Sequence, residues 1–194
     1  MKKKQWHIKT ADNDLYTCQY LAIATPVHET IPLLKSSNRE IVRELSKMNI
    51  SNTDSIGIII EKDKSPVKLI AGIIPLDDDS FFSTVSRDTI PHTEYRGFTF
   101  HFTQNKCTYK EKLQKICKIL RISNNEIIHA VECENSMPTL KRGHGALINK
   151  IDTILSQSPL PLLITGNYFN GLSIEDCVLR SFNEWHRIFN SKIN

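Results

Sequence analysis

Apolar positions along this 194-residue chain recur with two periods, and the switches between them mark its elements. In QWHIKTADNDLYTCQYLAIATP, alternation puts Trp6, Ile8 and Thr10 on one face, ADND is turn-forming, and Leu15 to Cys18 can return as a second strand. The continuous apolar run Leu21 to Ala24 predicts a buried strand ending at Thr25-Pro26. Ser37 and Glu40 have the spacing of a capping box, and Ile41, Leu45 and Met48 behind them predict a helix of about three turns. Strands are then predicted at Ser55 to Ile60, Val67 to Ile74, Phe81 to Val85 and Phe98 to Phe102. In FTFHF the phenylalanines Phe98, Phe100 and Phe102 share one face, with Thr99 and His101 on the other. Such a face is ordinarily sheet core, and His101 reads as a solvated or hydrogen-bonded strand residue.

The helical period returns after Thr108 and Glu111, a second capping box, with Tyr109, Leu113, Ile116, Cys117 and Leu120 in one stripe. Lys110, Lys112, Lys115 and Lys118 lie mainly off that stripe, as a solvated face would. A turn at Ser123 to Asn125, a strand IIHAVEC and an irregular loop SMPTLKRGH lead to another helix, with Leu147, Ile151, Ile154 and Leu155 in register. The chain closes with a strand PLLIT, a turn between Gly166 and Gly171, and a helix opened by Ser173 and Asp176. Ile174, Val178, Phe182, Trp185 and Phe189 predict the buried side of that helix. The elements add up to a mixed α/β (α+β) fold with amphipathic helices.

Composition narrows the class. With 40% hydrophobic and 24% charged residues the chain reads as globular, and no apolar run approaches the roughly 18 residues of a membrane span. MKKKQWHIKT has a basic start without an apolar stretch behind it, so a cytoplasmic location is expected, with membrane-peripheral contact compatible. The net charge is 25 − 21 = +4, and the basic residues are scattered apart from Lys2 to Lys4 and Lys106 to Lys118. Nucleic-acid binding needs several phosphate contacts gathered on one face, so it is not expected. The five cysteines Cys18, Cys107, Cys117, Cys133 and Cys177 form no C-x-x-C pair and have no histidine at zinc spacing. No metal site is expected, and the thiols read as reduced and mostly buried.

The strand, glycine turn and helix start at the C-terminal end carry the candidate chemistry. A helix's first turn offers unsatisfied N–H groups and partial positive charge, which favour an anion or an electron-rich carbonyl. Glycines such as Gly166 and Gly171 let a ligand approach the backbone. A tight turn that merely reverses the chain has the same residues.

LLITGNYFNGLSIEDCV resembles the C-terminal flavin-binding segment of the protoporphyrinogen oxidases, within the FAD-dependent amine oxidase superfamily. Gly166, Gly171, Asp176 and Cys177 match that pattern, and Leu172, Ser173 and Ile174 fall on the flavin-contacting positions. SMPTLKRGH resembles the family's Pro-x-x-x-x-Gly-His loop through Met137, Pro138, Gly143 and His144, with Thr139-Leu140 where Gln-Tyr usually follows. A bulky aromatic residue that often lies near Cys133 is also missing. YLAIATPVHETIPLL, with Ala24, Thr25 and Pro26 at its centre, is similar to the passage from FAD domain to substrate domain.

The resemblance implies the C-terminal part of a two-domain FAD-dependent oxidase. Residues 1–34 and 152–194 would form a partial, discontinuous FAD-binding domain, and 35–151 a substrate-binding domain. It implies FAD as cofactor, protoporphyrinogen, a tetrapyrrole, as substrate, and a place in haem biosynthesis. Cofactor contacts fall to Gly166, Gly171, Leu172, Ser173 and Ile174, and catalytic residues remain unassigned. Phe98 and Phe100 are candidates for the substrate wall, with Arg96 and Arg142 able to meet carboxylates if they are not simply solvated. No G-x-G-x-x-G occurs in the chain, so FAD binding by the chain alone is expected to be weak or absent. The missing half is expected before Met1 or on a separate N-terminal chain, and self-association through exposed apolar surface is a further expectation. A non-catalytic remnant or interaction module, and an amine oxidase or desaturase-type flavoprotein, remain open as alternatives.

Overall fold

The structure, a computed structural model, describes residues 5–78 and 80–189. The basic cluster Lys2 to Lys4 lies outside the described residues. The chain divides into two compact units, Met1–Ile50 with Pro138–Asn194, and Ser51–Met137.

The first unit opens with the expected hairpin, β1 (Trp6–Lys9) against β2 (Leu15–Cys18). Its turn uses Asn13 at φ 68°, a left-handed position that asparagine tolerates. Trp6 anchors the hairpin by donating its indole N–H to Pro161 O at 2.9 Å. Next come β3 (Leu21–Ile23) and β9 (Leu162–Ile164), which pair in parallel. Only Ile23 is buried on β3, whereas Ala22 is exposed, so the run Leu21 to Ala24 is not the fully buried strand its apolarity predicts. Strand alternation turns Ala22 and Ala24 to the face opposite Leu21 and Ile23, and that face is exposed.

Helix α1 (Val27–Leu34) has no periodic signal, being eight residues long with Pro32 inside it. Helix α2 (Arg39–Leu45) differs from expectation at its start and its length. Asn38, not Ser37, is its cap: Asn38 Oδ1 accepts from Ile41 N at 3.1 Å, while Ser37 Oγ donates back to Leu34 O. Met48, predicted as part of the helix, follows it and is still buried. Helix α4 (His144–Ser156) packs on α2. Ile41, Leu45, Ile148, Ile151 and Leu155 join Leu162, Ile164, Tyr168 and Phe169 in one core. Glu44 is also buried there, its carboxylate held by Lys47 at 2.6 Å, Arg43 at 3.1 Å and Lys150 of α4 at 3.1 Å. These bonds, led by Lys47, hold its pKa down at about 2.

Helix α5 (Ile174–Phe189) reverses the expected orientation. Ile174, Val178, Phe182 and Trp185 are 84%, 62%, 58% and 54% exposed, while Arg180, Glu184 and Ile188 are buried. The reason lies in β9, whose Leu162 and Ile164 backbone groups point away from β3 by strand alternation. Arg180 Nε donates to Ile164 O at 3.2 Å, Arg187 Nη2 donates to Leu162 O at 2.7 Å, and Glu184 Oε2 accepts from Ile164 N at 3.3 Å. Charged side chains of α5 thus do the work of a neighbouring strand. Leaving those groups dry and unpaired would cost more than exposing a row of apolar side chains.

The second unit holds a five-stranded sheet in the order β5-β6-β7-β4-β8. Its strands are β4 (Asn49–Glu61), β5 (Gly72–Ile73), β6 (Phe81–Ser86), β7 (Tyr95–Thr103) and β8 (Ile127–Thr139). Antiparallel pairing sets Ile56 opposite Phe100 and Ile58 opposite Phe98. Helix α3 (Tyr109–Leu120), with the predicted Thr108–Glu111 capping box, supplies Ile116 and Leu120 to the core formed by these residues with Phe81 and Phe102. One lysine of its expected solvated face is buried instead: Lys112 Nζ donates to Asp54 at 2.5 Å and Glu132 at 2.7 Å.

Two further elements depart from the pattern. Of the strand predicted over Val67 to Ile74, only Gly72–Ile73 forms. Arg96 takes the carbonyls of Val67 (2.8 Å) and Lys68 (3.3 Å), and the Ser86 hydroxyl takes that of Ile70, so side chains replace the ladder. SMPTLKRGH is likewise not all loop, because β8 continues through Thr139. Pro138 is tolerated in β8 because that strand lies at the sheet's edge. All five cysteines are free; four are half-buried and Cys133 is exposed, so they are less buried than expected. Among the described residues no helix is long and apolar enough to cross a membrane, and no cluster of His, Cys, Asp or Glu is arranged to hold a metal.

Candidate functional site

In the first unit, parallel pairing of β3 with β9 brings two distant stretches of sequence side by side. Thr165 N donates to Ile23 O at 3.0 Å, so the segments leaving the two strands, Ala24-Thr25-Pro26 and Thr165-Gly166-Asn167, start from one edge of the sheet. Both line an open pocket of about 570 Å³, whose third side is formed by Leu172, just before α5, and by Ile174, Cys177 and Val178 at its start. That volume lies within the usual range of small-molecule sites.

The turn from 166 to 171 is held from beneath by two aromatic rings, Tyr168 and Phe169, both fully buried. Tyr168 OH shares a hydrogen bond of 3.2 Å with Thr30 Oγ1, which is itself 2.9 Å from Thr25 Oγ1. Burial pushes the Tyr168 phenol up, so it stays protonated and able to donate. Arg180 stacks over the Phe169 ring at 3.8 Å. His144, at the start of α4, is 2.7 Å through Nε2 from Phe169 O; the carbonyl can only accept, so this nitrogen carries the proton. Three stretches, ATP, the Gly143-His144 loop and the glycine turn, thus meet through named hydrogen bonds. Tyr168 and Phe169 escaped the sequence reading; two bulky aromatics inside a polar glycine turn were the available signal.

Gly166 has φ 148°, and a Cβ placed there would lie 2.6 Å from the Tyr168 ring, so the close packing under the turn excludes a side chain. A Cβ on Gly171 would fall 2.0 Å from a carboxylate oxygen of Asp176. That carboxylate and Ser173 cap α5 reciprocally: Ser173 N and Oγ donate to Asp176 Oδ2 at 3.1 and 2.6 Å, and Asp176 N donates to Ser173 Oγ at 3.0 Å. The cap consumes the Ser173 N–H. No acceptor is seen for the Leu172 or Ile174 N–H among the described residues, as expected at a helix start, and both residues line the pocket.

The predicted site residues therefore separate. Gly166, Leu172 and Ile174 line the pocket with Ala24, Thr25 and Pro26, whereas Gly171 and Ser173 shape the cap behind it. In the second unit Phe98 and Phe100 are core residues, 3% and 0% exposed. Arg96 is not a solvated arginine: it is buried, bonded to Asp88 through Nε at 3.0 Å and Nη2 at 2.6 Å, with Phe98 beneath it. Arg142 is exposed. His101 Nδ1 is 2.8 Å from Ser55 Oγ, which accepts from Asn135 at 2.7 Å; burial lowers the His101 pKa, so it is a neutral strand residue.

No protein-family model matches the chain, and no curated protein matches it. Solved structures do. A candidate protoporphyrinogen oxidase from an Exiguobacterium species superposes with a TM-score of 0.72 at 15% identity, over 95% of this chain and 44% of that one. A protein from Pyrococcus furiosus gives 0.57 at 12% identity, over 94% of this chain and 43% of its own. A reduced UDP-galactopyranose mutase gives 0.55 at 16% identity, over 78% and 36%. The chain thus spans less than half the length of each of these structures. Its mixed α/β architecture is that of the C-terminal part of FAD-dependent oxidoreductase folds.

Proposed function

We propose that this chain supplies the flavin-ring side of an FAD-dependent oxidoreductase of the protoporphyrinogen oxidase type, acting on a tetrapyrrole in cytoplasmic haem biosynthesis. The observation that carries the proposal is the meeting of Ala24-Thr25-Pro26 with Gly166, Leu172 and Ile174 around one pocket of about 570 Å³. Bound there, FAD would supply the redox chemistry, taking up hydride equivalents from a substrate and passing electrons to an acceptor. The chain's own residues bind and orient. The Leu172 and Ile174 N–H groups would offer an electron-rich edge fixed dipoles that need little reorganisation as charge builds. Pro26, Leu172 and Val178 give that wall an apolar lining.

The pocket suits a ring and not a whole dinucleotide, so pyrophosphate and ribose would be held by residues outside this chain. Two exposed features support a polypeptide partner, either an N-terminal half or a second copy. Ala22 presents N–H and C=O groups on the uncovered edge of β3, a ready template for another strand. The apolar stripe of α5 from Ile174 to Trp185 offers a surface to cover. We assign the unit of residues 1–50 and 138–194, in which α2 and α4 share a core with β9 and the glycine turn, to the flavin side, and 51–137 to the substrate side, boundaries that move from the expected 34/35 and 151/152; Phe98 and Phe100 would stiffen the substrate side from within.

The test is reconstitution. The chain is titrated with FAD alone and together with a candidate N-terminal chain, following the flavin spectrum, and protoporphyrinogen is compared with amines and polyenes as substrate. FAD should bind tightly only in the assembly, and Gly171→Leu should abolish that binding. Ser173→Ala, which loosens the same cap without adding bulk, should retain it. Unchanged FAD affinity in Gly171→Leu would sink the flavin reading. A colourless assembly that FAD does not stabilise would favour a non-catalytic interaction module instead.

A further inference from the structure

Within the second unit a separate cavity of about 300 Å³ is bounded by Ile59, Leu69, Ile90 and Pro91 on its apolar sides and by Lys62, Arg87 and His92 on its polar side. Lys62 and Arg87 are cationic donors there. His92 Nδ1 accepts from Glu94 N and Tyr95 N, both at 3.2 Å, and the ring stacks on Tyr95 at 5.3 Å. With Nδ1 committed as an acceptor, the proton of the neutral ring sits on Nε2. Among the described residues Lys62 Nζ reaches only the His92 carbonyl, at 3.4 Å. Arg87 makes no ion pair among the described residues, and its stem lies against the bare face of Gly97.

The one carboxylate in the wall, Asp88, is spoken for. It receives both Arg96 bonds and the Ile70 N–H, and the Arg96 guanidinium first, with that backbone bond, holds its pKa below the usual carboxylate range. Asp88 and Arg96 therefore cancel as a buried pair, and the cavity keeps the positive charge of Lys62 and Arg87. A mainly apolar wall bordered by unneutralised cationic donors is complementary to an apolar molecule that ends in a carboxylate. We propose that this cavity is a binding site for an amphipathic organic carboxylate, with Arg87 and Lys62 on the carboxylate and Ile59, Leu69 and Ile90 around the apolar body. It does not depend on the flavin proposal.

The test uses the full chain and naphthalene-2-carboxylate as probe, with 2-naphthylmethanol as its uncharged analogue and inorganic phosphate as its headless counterpart. Titration is followed by calorimetry and by methyl NMR of Ile59, Leu69 and Ile90. The carboxylate should bind with methyl shifts confined to those residues. Arg87→Gln and Lys62→Gln, both at solvent-accessible positions, should each weaken it by about tenfold, the lower range for a charged hydrogen bond. Neither change should affect the alcohol. The proposal is overturned if the alcohol or phosphate binds as tightly as the carboxylate, if both variants bind like the parent, or if no methyl in this set responds.

Discussion

The orientation of α5 can be tested with a pair of substitutions on its two faces. On the inner face Glu184 is 3% exposed and takes bonds from Ile164 N–H, from Arg187 at 2.9 and 2.7 Å, and an ion pair with Arg180 at 3.3 Å. Glu184→Ala leaves a buried guanidinium and a strand N–H without that partner. Breaking a buried pair in this way costs about 3–5 kcal/mol. With a urea m-value of roughly 2 kcal/mol/M, the unfolding midpoint should fall by about 2 M. On the outer face, Phe182 is 58% exposed, and Phe182→Ser should change stability by no more than about 0.5 kcal/mol. A helix buried on its apolar side would give the reverse, with Phe182 costing about 3–5 kcal/mol as a core aromatic does. Fluorescence of Trp6 and Trp185, both in this unit, reports both transitions. A Glu184→Ala cost below about 1 kcal/mol, the value of an exposed pair, would refute the dry polar interface.

Three smaller predictions follow from single side chains. Glu44 has its pKa lowered from 4.5 to about 2, so its contribution is complete above the unfolded value and is lost as pH falls towards the folded one. Stability measured by urea titration should decline between about pH 4.5 and 2, and Glu44→Gln should flatten that decline. Asn38→Ala should destabilise the chain by about 1 kcal/mol through loss of the α2 cap, whereas Ser37→Ala should be nearly neutral; equal costs would restore Ser37 as the cap. Gly171→Ala should displace the Asp176 carboxylate and cost about 1 kcal/mol in the chain alone, a loss that should vanish when Asp176→Ala is already present.

Local chemistry was legible wherever its partners lie within a few residues. The Thr108–Glu111 and Ser173–Asp176 caps, the hairpin turn at Asn13 and the alternating phenylalanines of β7 all follow from short-range spacing. So did the glycine turn and its resemblance to a flavin segment, because a turn followed by a capped helix is a local pattern. Lys112 and Arg96 were misjudged for the opposite reason. A charged residue counts as solvated by default, and its acids, Asp54 with Glu132 and Asp88, are placed beside it only by folding.

By itself, then, the sequence determined the alphabet of elements, the mixed α/β class, and the segments with backbone chemistry to offer. Tertiary structure decided which face of α5 is inside, which residues share a unit, and that Ala24-Thr25-Pro26 stands opposite Gly166. Apolar periodicity says that one side of a helix wants cover, but not whether this chain provides it. For α5 the unpaired backbone of β9 took precedence, since a dry N–H or C=O without a partner costs about 1–3 kcal/mol and charged side chains of α5 were in reach to satisfy it.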